Sequence, residues 1–311
     1  MPARPGVVMP LVPFCITGGS GFVGRRLVGR LADLGVSDVT LLLRDTRRMQ
    51  AQFARPSWRF VETDITGPIP ADAVPRGSTV IHLASATGSV APKMMQRVIV
   101  EGTRNVLAAA ERANARHFVY VSSIAAAYRD KRSAPYATSK AEAELSVTGA
   151  KIPHTLVRPT MVFGAGSPNQ AALQRLATLA FPLLPGEGHV RVQPIHVDDL
   201  VDALIYLAGS APVGASPVPV GGPTQLTMRQ LYAAIRRAHK LPARDPRTLP
   251  LEPIRRVLAL VGSLTASRFP VSAGQFVAFA NDSTADDVPR AVQLPPPRIS
   301  LEEMLAPGAD A

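Results

Sequence analysis

The chain has 311 residues, 46% of them hydrophobic and 18% charged, enough to bury the core of one large α/β domain or two modest ones. Its 34 basic and 23 acidic residues leave a net charge of +11, but the arginines are scattered. No nucleic-acid motif or basic-aromatic stripe organises them, so nucleic acid is not an expected partner. The single cysteine, Cys15, excludes an internal disulfide and a cysteine-built metal cage, and no metal site is expected.

The first stretch, "MPARPGVVMPLVPF", is broken by Pro5, Pro10 and Pro13 and has no apolar signal core. No apolar run reaches the length of a membrane span, and the expected location is the cytoplasm. From there, short β-rich runs alternate with helical segments, the pattern of a parallel sheet covered on both faces. "FCIT" reads as the first strand, with Cys15 packed inertly in it, and "FVGRRLVGRLADLG" as the helix that follows, closed by Gly35. "DVTLLLR", "WRFVETD", "TVIHLAS", "ARHFVYVSS" and "HTLVRPT" read as strands two to six. A long helix through "VIVEGTRNVLAAAERA" separates four from five, and a helix through "YATSKAEAE" separates five from six.

After Gly164 the regularity weakens. "IHVDDLVDALIYLA" reads as a short strand turning into a helix, "PVGASPVPVGGP" as loop and strand, and "LTMRQLYAAIRRAHK" as an amphipathic helix. "VLALVGSL", Val257–Leu264, reads as a buried helix segment; the second reading is a basic amphipathic helix touching a membrane surface. The tail closes on a short helix capped by Ser300, with Glu302 and Glu303 in its first turn. The expected fold is therefore α/β, a Rossmann-type doubly wound parallel sheet with a smaller C-terminal substrate module. The nucleotide-binding domain is expected over 12–165, part of 190–210 returns to it, and 166–311 forms the smaller irregular module.

"TGGSGFVG" (Thr17, Gly18, Gly19, Ser20, Gly21, Phe22, Val23, Gly24) lies directly between a strand and a helix. Glycines at this spacing let the backbone turn tightly against a pyrophosphate, and the helix N-terminus supplies free N–H groups and a positive dipole end. A dinucleotide is the expected cofactor. Strand two ends in Arg44 and Asp45, with Arg47 and Arg48 close behind; an arginine here favours the extra phosphate of NADP(H). NAD(H) stays open because Asp45 can reach a ribose. Arg25 reads as a further phosphate contact, Asp64 and Ile65 after strand three as neighbours of the adenine, and Leu83, Ala84 and Ser85 as small residues against the cofactor.

Tyr136 and Lys140 stand four apart, on one helix face. A free tyrosine, with a pKa near ~10, is a poor acid–base group at neutral pH, and a neighbouring ammonium is expected to lower that value. Ser122 and Ser123, at the end of strand five, offer hydroxyls to a substrate oxygen.

With "HLAS", "VEGTRNVL", "LVRPTMVFG" and "PIHVDDLVDAL" in this order, the chain resembles the extended or atypical short-chain dehydrogenases/reductases, the NAD-dependent epimerase/dehydratase family, over roughly 12 to 210. Within it, "KAEAE" and "FPVSAGQFVAFANDSTADD" resemble the branch of the NADPH-holding accessory subunit of respiratory complex I. The resemblance implies that Tyr136 is the acid–base residue, that Lys140 holds the nicotinamide ribose, and that Ser123 orients substrate. It places Pro159 and Val162 on the nicotinamide side of the pocket, with Val121 an expected cofactor contact, and makes His196 and Asp199 joints between the modules. Where the family carries a helix asparagine this chain has Ile99, which sets any helix irregularity at that point in question.

The expected activity is hydride transfer between NADP(H) and a small carbonyl, lipid-like alcohol or quinone. The alternatives are an NADPH-holding accessory protein of respiratory or quinone metabolism, or an epimerase or dehydratase that retains NAD. Peripheral membrane contact is allowed, and monomer and homodimer both stay open.

Overall fold

The computed structural model describes residues 12–88, 90–132, 134–253 and 277–306. The N-terminal stretch up to residue 11 and the Val257–Leu264 segment lie outside the described residues.

In chain order the first half runs β1 (Phe14–Thr17), α1 (Phe22–Asp33), β2 (Val39–Leu43), α2 (Arg47–Phe53), β3 (Arg59–Glu62) and β4 (Thr79–His82). It continues through α3 (Pro92–Gln96), a π-helical segment Arg97–Glu101, α4 (Gly102–Arg112), β5 (His117–Val121), α5 (Pro135–Thr148) and β6 (His154–Pro159). The second half has β7 (Val162–Phe163), α6 (Pro168–Ala177), β8 (Leu183–Pro185), β9 (Arg191–Val192), β10 (Ile195–His196) and α7 (Val197–Gly209). Then come β11 (Gly214–Val220), β12 (Leu226–Thr227), α8 (Met228–Ala238), β13 (Arg247–Leu249) and a closing helix, Leu301–Leu305.

Seven parallel strands form the central sheet in the order β11-β6-β5-β4-β1-β2-β3. This is the Rossmann arrangement expected from the alternation of elements, with the order reversing between β1 and β4. The central strands are buried on both faces, which explains their continuous apolar runs. Because side chains alternate along a strand, Phe14 and Ile16 join a core on one face with α1 and α7, whereas Cys15 joins the other with α4 and α5. Cys15 is free and fully buried, and burial pushes its thiol up to about 12, so it is inert packing.

Two features go beyond the sequence reading. The loop-and-strand region after α7 supplies β11, an edge strand beside β6, so α7 and β11 belong to the covering layer and the central sheet, while β10 pairs with β7 in a separate two-stranded sheet. A separate apolar cluster gathers Leu173, Leu176, Tyr232, Ile235, Met304 and Leu305 from α6, α8 and the closing helix. Ser300 and Glu303 make a capping box at that helix, as the tail sequence predicts. Asp199 ties it to α7 by accepting the backbone N–H groups of Arg298 and Ile299 at 3.1 and 3.0 Å.

Candidate active site

The glycine turn is built by close approach. Gly18 has φ +72°, and a Cβ there would lie 2.6 Å from the Ala84 nitrogen. A Cβ on Gly24 would lie 2.1 Å from the Gly18 carbonyl oxygen. Gly21 donates its N–H to that same carbonyl at 3.0 Å, and α1 then begins at Phe22 with no side-chain cap. The first N–H groups of α1 thus face the ends of β1 and β4 with room for a pyrophosphate, and the residues present fit a dinucleotide. Thr17 and Gly19 are buried behind this turn, and Ser20 is exposed at its tip.

A directional chain of hydrogen bonds holds the turn from behind. Thr103 Oγ1 donates to the Ile99 carbonyl at 2.5 Å, so it accepts from His82 Nε2 at 3.0 Å. His82 Nδ1 therefore accepts from Thr17 Oγ1 at 2.5 Å, and Thr17 Oγ1 accepts the Ala84 N–H at 3.3 Å. Burial, with help from the Lys140 charge, pushes His82 down to about 3, so the imidazole is neutral. The helix irregularity set in question by Ile99 is present: the π-helical segment is centred on that residue without an asparagine. The Thr103 hydroxyl serves the Ile99 carbonyl instead. Asn105, which the motif reading passed over, donates to the carbonyls of Ile65 and Gly67 at 2.8 and 3.2 Å and fixes the loop after β3.

At the end of β2 the basic residues divide. Arg47 closes on Asp45 through three bonds of 2.8–3.1 Å, which occupies both carboxylate oxygens and holds Asp45 below the usual carboxylate range. Among the described residues, Arg44 and Arg48 are exposed and make no ion pair or side-chain hydrogen bond. Asp64 is exposed and accepts the Thr66 N–H at 2.9 Å, while Ile65 is buried against Gly102. None of these residues lines the main cleft.

The cleft itself has a volume of about 510 Å³. It is lined on one side by Gly18, Gly21, Phe22, Val23 and Gly24, by Leu83 and Ser85, and by Val121, Ser122, Ser123, Tyr136, Lys140, Pro159 and Val162. The two ends of the glycine motif and the Tyr–Lys pair, far apart in sequence, therefore share one space. Lys140 is only 2% exposed. Its ammonium donates to the Val121 carbonyl at 2.8 Å and sits 4.9 Å above the Tyr120 ring. Burial pulls Lys140 down to about 7, with Glu144 one turn further on opposing the shift. Glu144 is clamped by Arg158 through bonds of 2.9 and 2.6 Å.

Tyr136 departs from the sequence expectation. Burial raises its phenol above the ordinary value, and the opposing pull comes from the hydroxyls of Ser123 and Ser85. The Lys140 ammonium donates to the Val121 carbonyl, and burial outweighs the lowering expected at the phenol. Ser123 accepts the Ala125 N–H at 3.2 Å, leaving its own proton available to the cleft. The buried Ser122 and Ser85 hydroxyls have no well-aligned partner.

The opposite wall was largely invisible to motif reading. It comes from Met95, Tyr128, Met161, Leu173, Met228 and the segment Val277–Phe279. That segment is clasped over the cleft: Tyr128 and Ser283 share a hydrogen bond of 2.5 Å, and Asn281 exchanges bonds of 3.0 and 2.9 Å with the Asp130 backbone. His196 caps α7 by accepting the Asp198 N–H at 3.2 Å, and its ring lies against Gly164; with Asp199 it sits at a joint, not in the cleft.

The model of the NAD dependent epimerase/dehydratase family matches residues 14–218. The chain belongs to this family. Among curated relatives, it is 34% identical to the ceramide reductase of Caulobacter vibrioides (strain NA1000 / CB15N) over 64% of this chain and 62% of that protein. It is 29% identical to the mouse (Mus musculus) 3 beta-hydroxysteroid dehydrogenase type 7 over 51% of this chain and 52% of that enzyme. The chain thus spans less than two thirds of the length of either relative. Among solved structures, MoeE5 in complex with UDP-glucose and NAD matches 94% of this chain and 96% of its own, with a TM-score of 0.64 at 21% identity. That likeness shows the fold alone. The family is established at this level; the narrower complex I branch is not. No helix among the described residues is long and apolar enough to cross a membrane.

Proposed function

We propose that this protein is an NADP(H)-dependent oxidoreductase that interconverts a carbonyl and a hydroxyl on an uncharged, largely apolar substrate, with Tyr136 as the acid–base group. The observation that carries the reading is the cleft: Tyr136, Ser123 and Lys140 converge in it, and Lys140 is the only charged residue among its described lining. In a chain of net charge +11, a site for a nucleoside diphosphate sugar would be expected to recruit a guanidinium. Three methionines, Leu173 and Phe279 are there instead. The named activities of the ceramide reductase and of a Stigmatella aurantiaca ketoreductase, 28% identical over 64% of this chain and 65% of that protein, point the same way.

When bound, the nicotinamide supplies or accepts the hydride. The chain's own residues handle the proton. Ser123 and Tyr136 donate to the carbonyl oxygen, and in reduction the phenolic proton passes to that oxygen as the carbon–hydrogen bond forms. The phenolate left behind is met by the hydroxyls of Ser123 and Ser85, whose hydrogen bonds oppose the cost of burying it. Lys140 keeps N–H groups for the ribose beyond its bond to Val121. In this reading Arg44 takes the 2′-phosphate, since Asp45 is already held by Arg47.

The test is the nucleotide and the substrate together. The purified protein should bind NADPH in ready exchange and oxidise it with apolar ketones or quinones, but not with UDP-glucose. Retained NAD together with turnover of a sugar nucleotide would overturn the reading in favour of an epimerase or dehydratase. NADPH that stays bound for hours without oxidation would point to an accessory role.

A further inference from the structure

Six large hydrophobic side chains stand exposed among the described residues: Met94, Leu145, Leu179, Phe181, Leu249 and Val288. Three of these gather at one place, where the loop after α6 meets the paired strands β8 and β13: Leu179 (42% exposed), Phe181 (60%) and Leu249 (36%). We infer that this face docks on an anionic lipid surface, with Phe181 and Leu179 entering the headgroup region and the surrounding cations meeting the lipid charge.

The loop is presented by design of its backbone contacts. Buried Arg236 donates to the carbonyls of Ala177, Leu179 and Pro242 at 2.7, 3.2 and 3.0 Å. Arg244 donates to the Ala180 carbonyl at 2.8 Å, and the Arg247 N–H reaches the Pro182 carbonyl at 2.9 Å. With its carbonyls satisfied from below, the loop holds its two apolar side chains outward. The Arg247 guanidinium lies 4.9 Å from the Phe181 ring centroid, so aromatic and cation form one unit, suited to the interface between water and acyl chains.

The charge on this end of the molecule is predominantly basic, with Glu187 and Glu252 flanking β8 and β13. Over 175–182 and 237–249 the cations are Arg175, Arg237, Lys240, Arg244 and Arg247, all exposed, against the single acid Asp245, which lies 3.7 Å from Arg229. A second copy placed on the same face would set these cations against their own kind, whereas an anionic bilayer complements them. The face is also continuous with the cleft wall. Helix α6 gives Pro168, Asn169, Ala172 and Leu173 to the cleft along its first half, and its C-terminal end runs into the loop. Beyond β13, Leu251 packs into the cluster that contains Phe279. A substrate drawn from a bilayer would have a short path, although docking itself does not depend on the reading of catalysis.

The experiment is cosedimentation of the full chain with sucrose-loaded vesicles of phosphatidylcholine alone and of phosphatidylcholine with phosphatidylglycerol. The native protein should bind only the anionic vesicles, and less as salt is raised. The double variant L179A/F181A should lose about tenfold or more in partition, from the apolar area it no longer buries. R175Q/R237Q, at side chains that make no hydrogen bond among the described residues, should lose roughly tenfold on anionic vesicles only. Unchanged NADPH affinity in both variants shows that they fold. Native protein that stays in the supernatant, variants that bind as the native protein does, or a native dimer that L179A/F181A dissolves would each overturn the inference.

Discussion

The two halves of the cleft are specified in different ways. The nucleotide side is assembled from contiguous motifs: the glycine turn is complete within Thr17–Gly24, and Tyr136 and Lys140 are one helical turn apart. The substrate side is assembled from segments that meet only through tertiary contacts, as when Tyr128 bonds Ser283 and Asn281 grips the Asp130 backbone. The first side is held by backbone geometry that tolerates little change. The second is held by a few side-chain clasps and can drift while the first stays intact. Damage to one side should therefore appear as lost nucleotide binding, and damage to the other as altered substrate use.

The sharpest break of this contrast is Gly24→Ala. Its Cβ would meet the Gly18 carbonyl oxygen, which is backbone and cannot step aside. We expect a stability loss on the order of 3 kcal/mol together with loss of NADPH binding, read by urea unfolding and by nucleotide fluorescence. Near-native affinity in that variant would mean that the turn is not the cradle.

A pH series probes the support behind the turn. His82, held neutral down to about 3, and His117, buried and lowered to about 4, take up protons more readily when unfolded. Between the ordinary histidine range and those values the unfolded state binds more protons, so stability should rise with pH across that window and be lost as pH falls through it. His82→Gln should flatten the slope in urea midpoints taken across that window. An unchanged slope would show that His82 is not the group that titrates.

Arg44→Asp should shift the preference between NADPH and NADH by about 1–2 kcal/mol, tenfold or more, without touching the cleft. A preference that does not move would remove Arg44 from the phosphate. The smallest effect is expected on the substrate side. Asn281→Ala should raise KM roughly threefold to tenfold while leaving NADPH affinity alone, consistent with the loss of one or two net hydrogen bonds. A parallel fall in nucleotide affinity would show that the two sides are not separable.

The same contrast explains what the sequence disclosed. Strand periodicity and the punctuating glycines made the sheet and the turn legible, because both depend on neighbours in the chain. Ile99 misled in one respect: the irregular turn forms without an asparagine at its centre, and the Ile99 carbonyl accepts from the Thr103 hydroxyl one helical turn away. The pairing of Arg47 with Asp45 was equally local but could not be told from a solvated basic loop without coordinates. The wall formed by Tyr128, Met228 and Val277–Phe279 has no motif, since its members meet only once the tertiary structure is formed. Burial also reversed the expected shift of Tyr136, an effect that spacing alone does not reveal.

The central claim is that Tyr136 moves the proton in a reaction on an uncharged carbonyl. The most direct test compares native protein and Tyr136→Phe for NADPH affinity and for NADPH oxidation with apolar ketones or quinones. The account predicts native turnover, a loss of about a hundredfold or more in the variant, and nucleotide affinity within a few-fold of native. Turnover by Tyr136→Phe at the native rate would contradict it.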